Sequence, residues 1–122
     1  MSRILVIDDE PVLRLTFRYI LEQDGHTVWD AENGKVGVDL CRHEHPDLVI
    51  TDIMMPEQAG WETLSILRSE FPALPVIAMS GAGVAFASDG NETKSSCRYV
   101  EKPVDRPILL GLVNDLLSKT TV

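Results

Sequence analysis

Short apolar runs recur along the chain, each followed by a stretch in which apolar residues return every three or four positions. Ile4-Leu5-Val6-Ile7, Leu48-Val49-Ile50 and Val76-Ile77-Ala78-Met79 contain no polar member. Runs of this kind are strands buried on both faces. Thr27-Val28-Trp29 and Arg98-Tyr99-Val100 are strand-like but more polar. Helical spacing follows in Leu13, Phe17, Ile20 and Leu21, in Val36, Leu40 and Cys41, in Trp61, Leu64 and Leu67, and in Leu109, Leu112, Val113 and Leu116. Punctuation agrees with the periodicity. Pro11 behind three acids opens the first helix and Gly25 closes it, Asn33-Gly34 opens the second, and Pro72 follows the third. Asp105 caps the last helix, with Pro107 in its first turn.

The order is strand then helix, five times over. That makes an α/β protein, a five-stranded parallel sheet with helices on both faces, because crossovers between parallel strands are right-handed. The first, third and fourth strands are the most apolar and belong in the centre, and the second and fifth at the edges. The sheet order 2-1-3-4-5 satisfies this in a doubly wound fold and puts the topological switch point between the first and third strands. One segment breaks the rhythm. Gly81-Ala82-Gly83 and Ser88-Asp89-Gly90-Asn91-Glu92 work against a long helix, so the fourth helix, over residues 84–96, is expected to be short or mobile.

Composition narrows the function. The chain has 122 residues, which predicts one domain over 1–122, and 44% hydrophobic content is ordinary for a soluble protein. No apolar run is long enough to span a membrane. Met1-Ser2-Arg3 leads directly into a strand, so no signal peptide is expected, and the expected location is the cytoplasm. Cys41 and Cys97 lie far apart in sequence and read as reduced thiols. A net charge of −8 argues against direct nucleic-acid binding by this domain and suits a partner with a basic patch. His26, His43 and His45 read as solvated side chains, and Gly81-Ala82-Gly83 lacks the lysine of a nucleotide loop.

The candidate chemistry lies at the C-terminal ends of the strands. Asp8 and Asp9 end the first, Asp52 the third, Ser80 the fourth, and Lys102 follows the fifth. Each alone has an ordinary reading. Asp52 can cap a helix, Asp8-Asp9-Glu10 can be an acidic first turn, Ser80 a turn residue, Lys102 a solvated surface residue and Tyr99 edge packing. Together they are specific. Three converging carboxylates repel one another unless a cation intervenes, and oxygen ligands with several waters suit Mg²⁺. A hydroxyl and an ammonium beside such a cluster suit a phosphoryl group, with one carboxylate, Asp52, as nucleophile giving an aspartyl phosphate.

The motifs Val6-Ile7-Asp8-Asp9-Glu10, Asp47-Leu48-Val49-Ile50-Thr51-Asp52-Ile53-Met54-Met55-Pro56, Ser80 after an apolar strand, and Tyr99-Val100-Glu101-Lys102-Pro103 resemble those of response-regulator receiver domains, the phosphoacceptor modules of two-component signalling. The resemblance spans essentially the whole chain. It implies a flavodoxin-like fold and a switch that is not an enzyme beyond its own phosphotransfer and dephosphorylation. Asp52 would take phosphate from a phosphohistidine on a sensor histidine kinase or phosphotransfer protein. Mg²⁺ would be held by Asp9, Asp52 and the backbone carbonyl of Met54, with Asp8 acting through a metal-bound water. Lys102 would pair with the phosphoryl group, Ser80 would move toward it, and Tyr99 would swing inward. The Lys102-Pro103 bond would be cis. The output would pass to an effector domain or target protein, or to a homodimer, through the face made by the fourth helix, fifth strand and fifth helix.

Two departures matter. The polar stretch of residues 88–97 replaces the family's helix-forming stretch and Gly-Ala pair, which puts the output face in question. Met54 and Ala82 flank the site at positions that would tune access of water. Phosphatases of the haloacid dehalogenase class share the Asp, Ser/Thr, Lys and Mg²⁺ set, but they need a second Asp two residues past the nucleophile, where this chain has Met54. A pseudo-receiver that no longer takes phosphate would not be expected to keep the acid pair, Ser80 and Lys102.

Overall fold

A computed structural model describes residues 2–53, 59–80 and 97–119. In chain order the elements are β1 (Arg3–Ile7), α1 (Pro11–Gln23), β2 (Thr27–Ala31), α2 (Gly34–Glu44), β3 (Leu48–Asp52), α3 (Ala59–Glu70), β4 (Val76–Ser80), β5 (Cys97–Glu101) and α4 (Arg106–Lys119). All five strands are parallel, in the order β2-β1-β3-β4-β5. This is the predicted sheet. The last helix, fifth in the sequence-based count, is α4 here, because the expected short or mobile helix over 84–96 lies outside the described residues.

Alternation along the strands builds two cores. Ile4, Val6, Leu48, Ile50, Ile77 and Met79 face Phe17 and Leu21 of α1 and Leu109, Val113 and Leu116 of α4. Leu5, Ile7, Val49, Val76 and Ala78 face Val38 and Cys41 of α2 and Leu64 and Leu67 of α3. β1, β3 and β4 are therefore covered on both sides, which is why their sequences are uniformly apolar. Both cysteines are buried, and burial pushes the Cys41 thiol up to about 12.

Caps and turns follow the sequence signals. The side chain of Asn33 accepts from the Val36 N–H at 2.9 Å, and that of Asp105 accepts from the Ile108 N–H at 3.1 Å. Gly25 sits at φ 95°, a left-handed conformation that only glycine takes without strain.

Two expectations need correction. Val36 does not belong to the inward face of α2; it is 40% exposed, and the buried positions are Gly34, Gly37, Val38 and Cys41. Two glycines let this helix approach closely: a Cβ on Gly37 would lie 2.3 Å from Ile7 Cδ1. An apolar periodicity cannot register a face made partly of residues with no side chain. His26 is not solvated either. Its side chain is 8% exposed, and its Nδ1 accepts from the Ser2 N–H at 3.2 Å. His43 and His45 are exposed, as expected.

Candidate functional site

Strand register assembles the site. Ile7 lies opposite Thr51, so the residues that follow, Asp8 and Asp52, come level at the ends of β1 and β3. Asp52 lies opposite Met79, one residue before Ser80, and Ser80 lies opposite Glu101, one residue before Lys102. Two backbone bonds close this edge: the Ile53 N–H donates to the Met79 carbonyl at 2.9 Å, and the Lys102 N–H donates to the Ser80 carbonyl at 2.7 Å. The four groups predicted from four strand ends, Asp8, Asp52, Ser80 and Lys102, therefore share one rim, with Asp9 beside Asp8.

Asp8 and Asp52 are buried and Asp9 is exposed. Each offers a carboxylate oxygen, and the three oxygens lie within 4.8 Å of one another. Lys102 Nζ reaches into the cluster, 3.0 Å from Asp52 Oδ2, 3.4 Å from Asp8 Oδ2 and 3.8 Å from Glu10 Oε1. Burial raises the Asp8 pKa; the Glu10 N–H, which donates to Asp8 Oδ1 at 2.9 Å, and the charge of Lys102 offset this only in part. For Lys102, burial works against the cation, but the hydrogen bond to Asp52 and the charges of Asp8 and Asp52 outweigh it, and its pKa is raised. The Ser80 hydroxyl is buried and has no hydrogen-bond partner among the described residues.

By formal charge, three carboxylates and one ammonium leave two negative charges at a rim where Asp8 and Asp52 are buried and Asp9 is exposed. That balance and the all-oxygen donor set fit one hard divalent cation. The unpartnered hydroxyl of Ser80 is a donor in wait of an acceptor, since burying such a group without one costs about 1–3 kcal/mol. The backbone carbonyl of Met54, expected as a third metal ligand, lies outside the described residues, as does Ala82. Tyr99 is half-buried, with its hydroxyl 3.5 Å from Arg68 Nη1 on α3. The Lys102–Pro103 bond is cis.

Two groups near the site escaped the sequence reading. Glu10, taken as part of an acidic first turn, approaches Lys102. Arg14 donates from Nη1 to the main-chain carbonyl of Asp8 at 2.8 Å. Its only sequence signal is a polar residue next to Leu13 on the inward side of α1.

The response regulator receiver domain model matches residues 4–114. Protein PilH of Pseudomonas aeruginosa is 37% identical over 120 residues, covering 97% of this chain and 99% of that protein. The polar-differentiation response regulator DivK of Brucella ovis is 30% identical, covering 94% of this chain and 95% of DivK. The probable transcriptional regulatory protein TcrX of Mycobacterium tuberculosis is 32% identical, but this chain spans only 51% of its length. Among solved structures, a receiver domain protein from Clostridium thermocellum has a TM-score of 0.88 at 28% identity, covering 98% of this chain and 97% of that one. The response regulator TrrA of Thermotoga maritima, in complex with Mg²⁺ and BeF, has a TM-score of 0.81 at 32% identity, covering 95% and 99%.

Proposed function

The chain belongs to the response regulator receiver domain family of two-component signalling, and from that premise we propose that Asp52 is its phosphoacceptor, in a site completed by Mg²⁺. The observation that carries this reading is the joint placement of Asp8, Asp9 and Asp52 within 4.8 Å, with Lys102 bridging Asp8 and Asp52. An Asp52 oxygen attacks the phosphorus of a phosphohistidine. The new O–P bond forms as the N–P bond breaks, and the imidazole keeps the electron pair and takes up a proton. Lys102, already on Asp52 Oδ2, is within reach of a transferred phosphoryl oxygen, and the Ser80 hydroxyl gains the acceptor it lacks. Mg²⁺ held by Asp9 and Asp52, with Asp8 behind them, would supply charge neutralisation when bound. Later hydrolysis returns the Asp52 carboxylate and inorganic phosphate, so the protein acts as a self-resetting switch that turns over no separate substrate.

The donor would be a sensor kinase or phosphotransfer protein, and a docking face adjoins the site. Val12, Leu15 and Tyr19 share one exposed side of α1, and Ile108 is exposed on α4. A groove of about 450 Å³ lined by Glu10, Val12, Leu13, Thr16, Lys102 and Val104 leads from this helix to the rim. The output would leave by β5 and α4, which Arg98 and Asp115 tie together at 2.8 Å, with Tyr99 as the reporting side chain toward an effector domain, a target protein or a second copy. No helix among the described residues is long and apolar enough to cross a membrane, and we place the domain in the cytoplasm with its kinase partner.

Acetyl phosphate with Mg²⁺ should add one phosphoryl group by intact-mass measurement, and beryllofluoride should bind in its place. Asp52→Asn should lose both. Labelling of Asp52→Asn at the wild-type rate would assign the nucleophile elsewhere.

A further inference from the structure

Among the described residues, Asp9 is the one member of the acid cluster with no tether of its own. Asp8 accepts from the Glu10 N–H and pairs with Lys102, and Asp52 is held by Lys102. No hydrogen bond or ion pair holds the Asp9 carboxylate among the described residues, and the residue is exposed. What aims it is the peptide joining Asp8 to Asp9. The two ends of that segment are fixed by the backbone: the Asp8 N–H donates to the Ala31 carbonyl at 3.1 Å, and the Glu10 carbonyl accepts from the Arg14 N–H at 3.0 Å. Between them, the orientation of the joining peptide is set by its carbonyl. That carbonyl accepts from Arg14 Nη1 at 2.8 Å. Rotating this peptide would swing the Cβ of Asp9 and carry its carboxylate off the cluster.

Beyond that bond the guanidinium is paired by charge alone, since its buried Nε has no hydrogen-bond partner among the described residues. The Arg14 side chain is 16% exposed, and Nε lies 3.9 Å from Asp30 Oδ2 on β2. Arg18, one turn on, also pairs with Asp30, at 3.4 Å, but among the described contacts it does not reach Asp8. Two arginines therefore brace α1 against β2, and only one of them extends to the site.

We propose that Arg14 is a positioning residue for the cation site, orienting Asp9 through the Asp8 carbonyl. The inference rests on the reading of Asp8, Asp9 and Asp52 as the metal-binding acids. Partners behind the direct ligands typically change metal affinity 10–100-fold when removed.

The test compares the wild type with Arg14→Met, which keeps much of the aliphatic stem, Arg14→Lys, which can still donate to the carbonyl, and Arg18→Met, which loosens the same brace without touching the site. Melting in EDTA reports the fold, and Mg²⁺ titration by calorimetry reports the site. Arg14→Met should bind Mg²⁺ about tenfold more weakly, Arg14→Lys should recover most of that loss, and Arg18→Met should bind as the wild type does. Should Arg14→Met not melt cooperatively, Arg14→Leu, which also lacks a donor, takes its place. Wild-type affinity in the variant that removes the cation would overturn the proposal. So would an equal loss in Arg18→Met, which would mark a general loosening between α1 and β2. A wild type that shows no saturable Mg²⁺ binding overturns it differently, because it removes the metal reading itself.

Discussion

At neutral pH the ionised Asp8 carboxylate opposes folding of the metal-free protein. Its raised pKa, caused first by burial, means that the folded state holds the proton more tightly than the unfolded chain does. The sign follows from linkage. Stability from this group is fully present below the ordinary value of 3.8 and is lost as pH rises through the folded pKa. Lys102 offsets part of the cost, and its own raised pKa keeps the ammonium charged through that range. Asp8→Asn keeps the oxygen that accepts from the Glu10 N–H and removes the buried charge. In EDTA at pH 7 this variant should melt several degrees above the wild type, and the advantage should shrink as pH falls toward 4. With Mg²⁺ added, the wild type should gain more than the variant. Thermal melts across pH, with and without EDTA, check both. An Asp8→Asn protein that melts lower than the wild type in EDTA would mean that the Lys102 pair outweighs the burial cost.

At the scale of elements, strand order and helix starts were legible because they depend on local signals that the chain states directly. Uniformly apolar runs mark β1, β3 and β4 as central, and Asn33 and Asp105 cap the helices they precede. The carboxylates, the serine and the lysine were legible for a related reason: in a parallel sheet, every strand's C-terminal end faces one edge, so position in sequence fixes position at the rim. Contacts that depend on tertiary approach were not legible. The bond from Arg14 to a main-chain carbonyl leaves no pattern of residue types, and α2 hides its inward face in Gly34 and Gly37. That face can be tested. A Cβ at Gly37 would meet Ile7 Cδ1 at 2.3 Å and Cγ1 at 2.7 Å, in a core closed from both sides. Ile7 immediately precedes the acid pair, so pressure here reaches the site along β1. Gly37→Val should lower stability by about 1–3 kcal/mol, the usual range for overpacking. Val36→Ala, at the exposed neighbour, should cost far less. Urea denaturation of the two variants separates them, and equal losses would place Val36 in the core after all.

For the whole molecule, the acid cluster exists only in the native state. Asp8 and Asp9 come from the end of β1 and Asp52 from the end of β3, more than forty residues later, and the lysine that joins them follows β5. Unfolding separates the Asp8-Asp9 pair from Asp52 and Lys102, so a cation bound by the whole cluster stabilises the folded chain alone. At ten times its dissociation constant such a ligand adds about 1.4 kcal/mol, and the melting temperature should climb with the logarithm of Mg²⁺ concentration above saturation. The net charge of −8 provides a competing explanation, since any salt screens the repulsion within an acidic protein. The two differ in what they depend on. Screening follows ionic strength and is shared by the whole surface, whereas site binding needs a divalent ion and an intact cluster. Mg²⁺ should therefore raise the melting temperature well beyond KCl at equal ionic strength, and Asp9→Asn should remove the excess while leaving the KCl response in place. Asp9 is the informative choice because it is exposed and untethered among the described residues, so replacing it disturbs the fold less than replacing Asp8 or Asp52 would. If KCl reproduced the Mg²⁺ shift, the stabilisation would belong to the molecule's overall charge, and the three carboxylates would be an acidic rim with no resident ion.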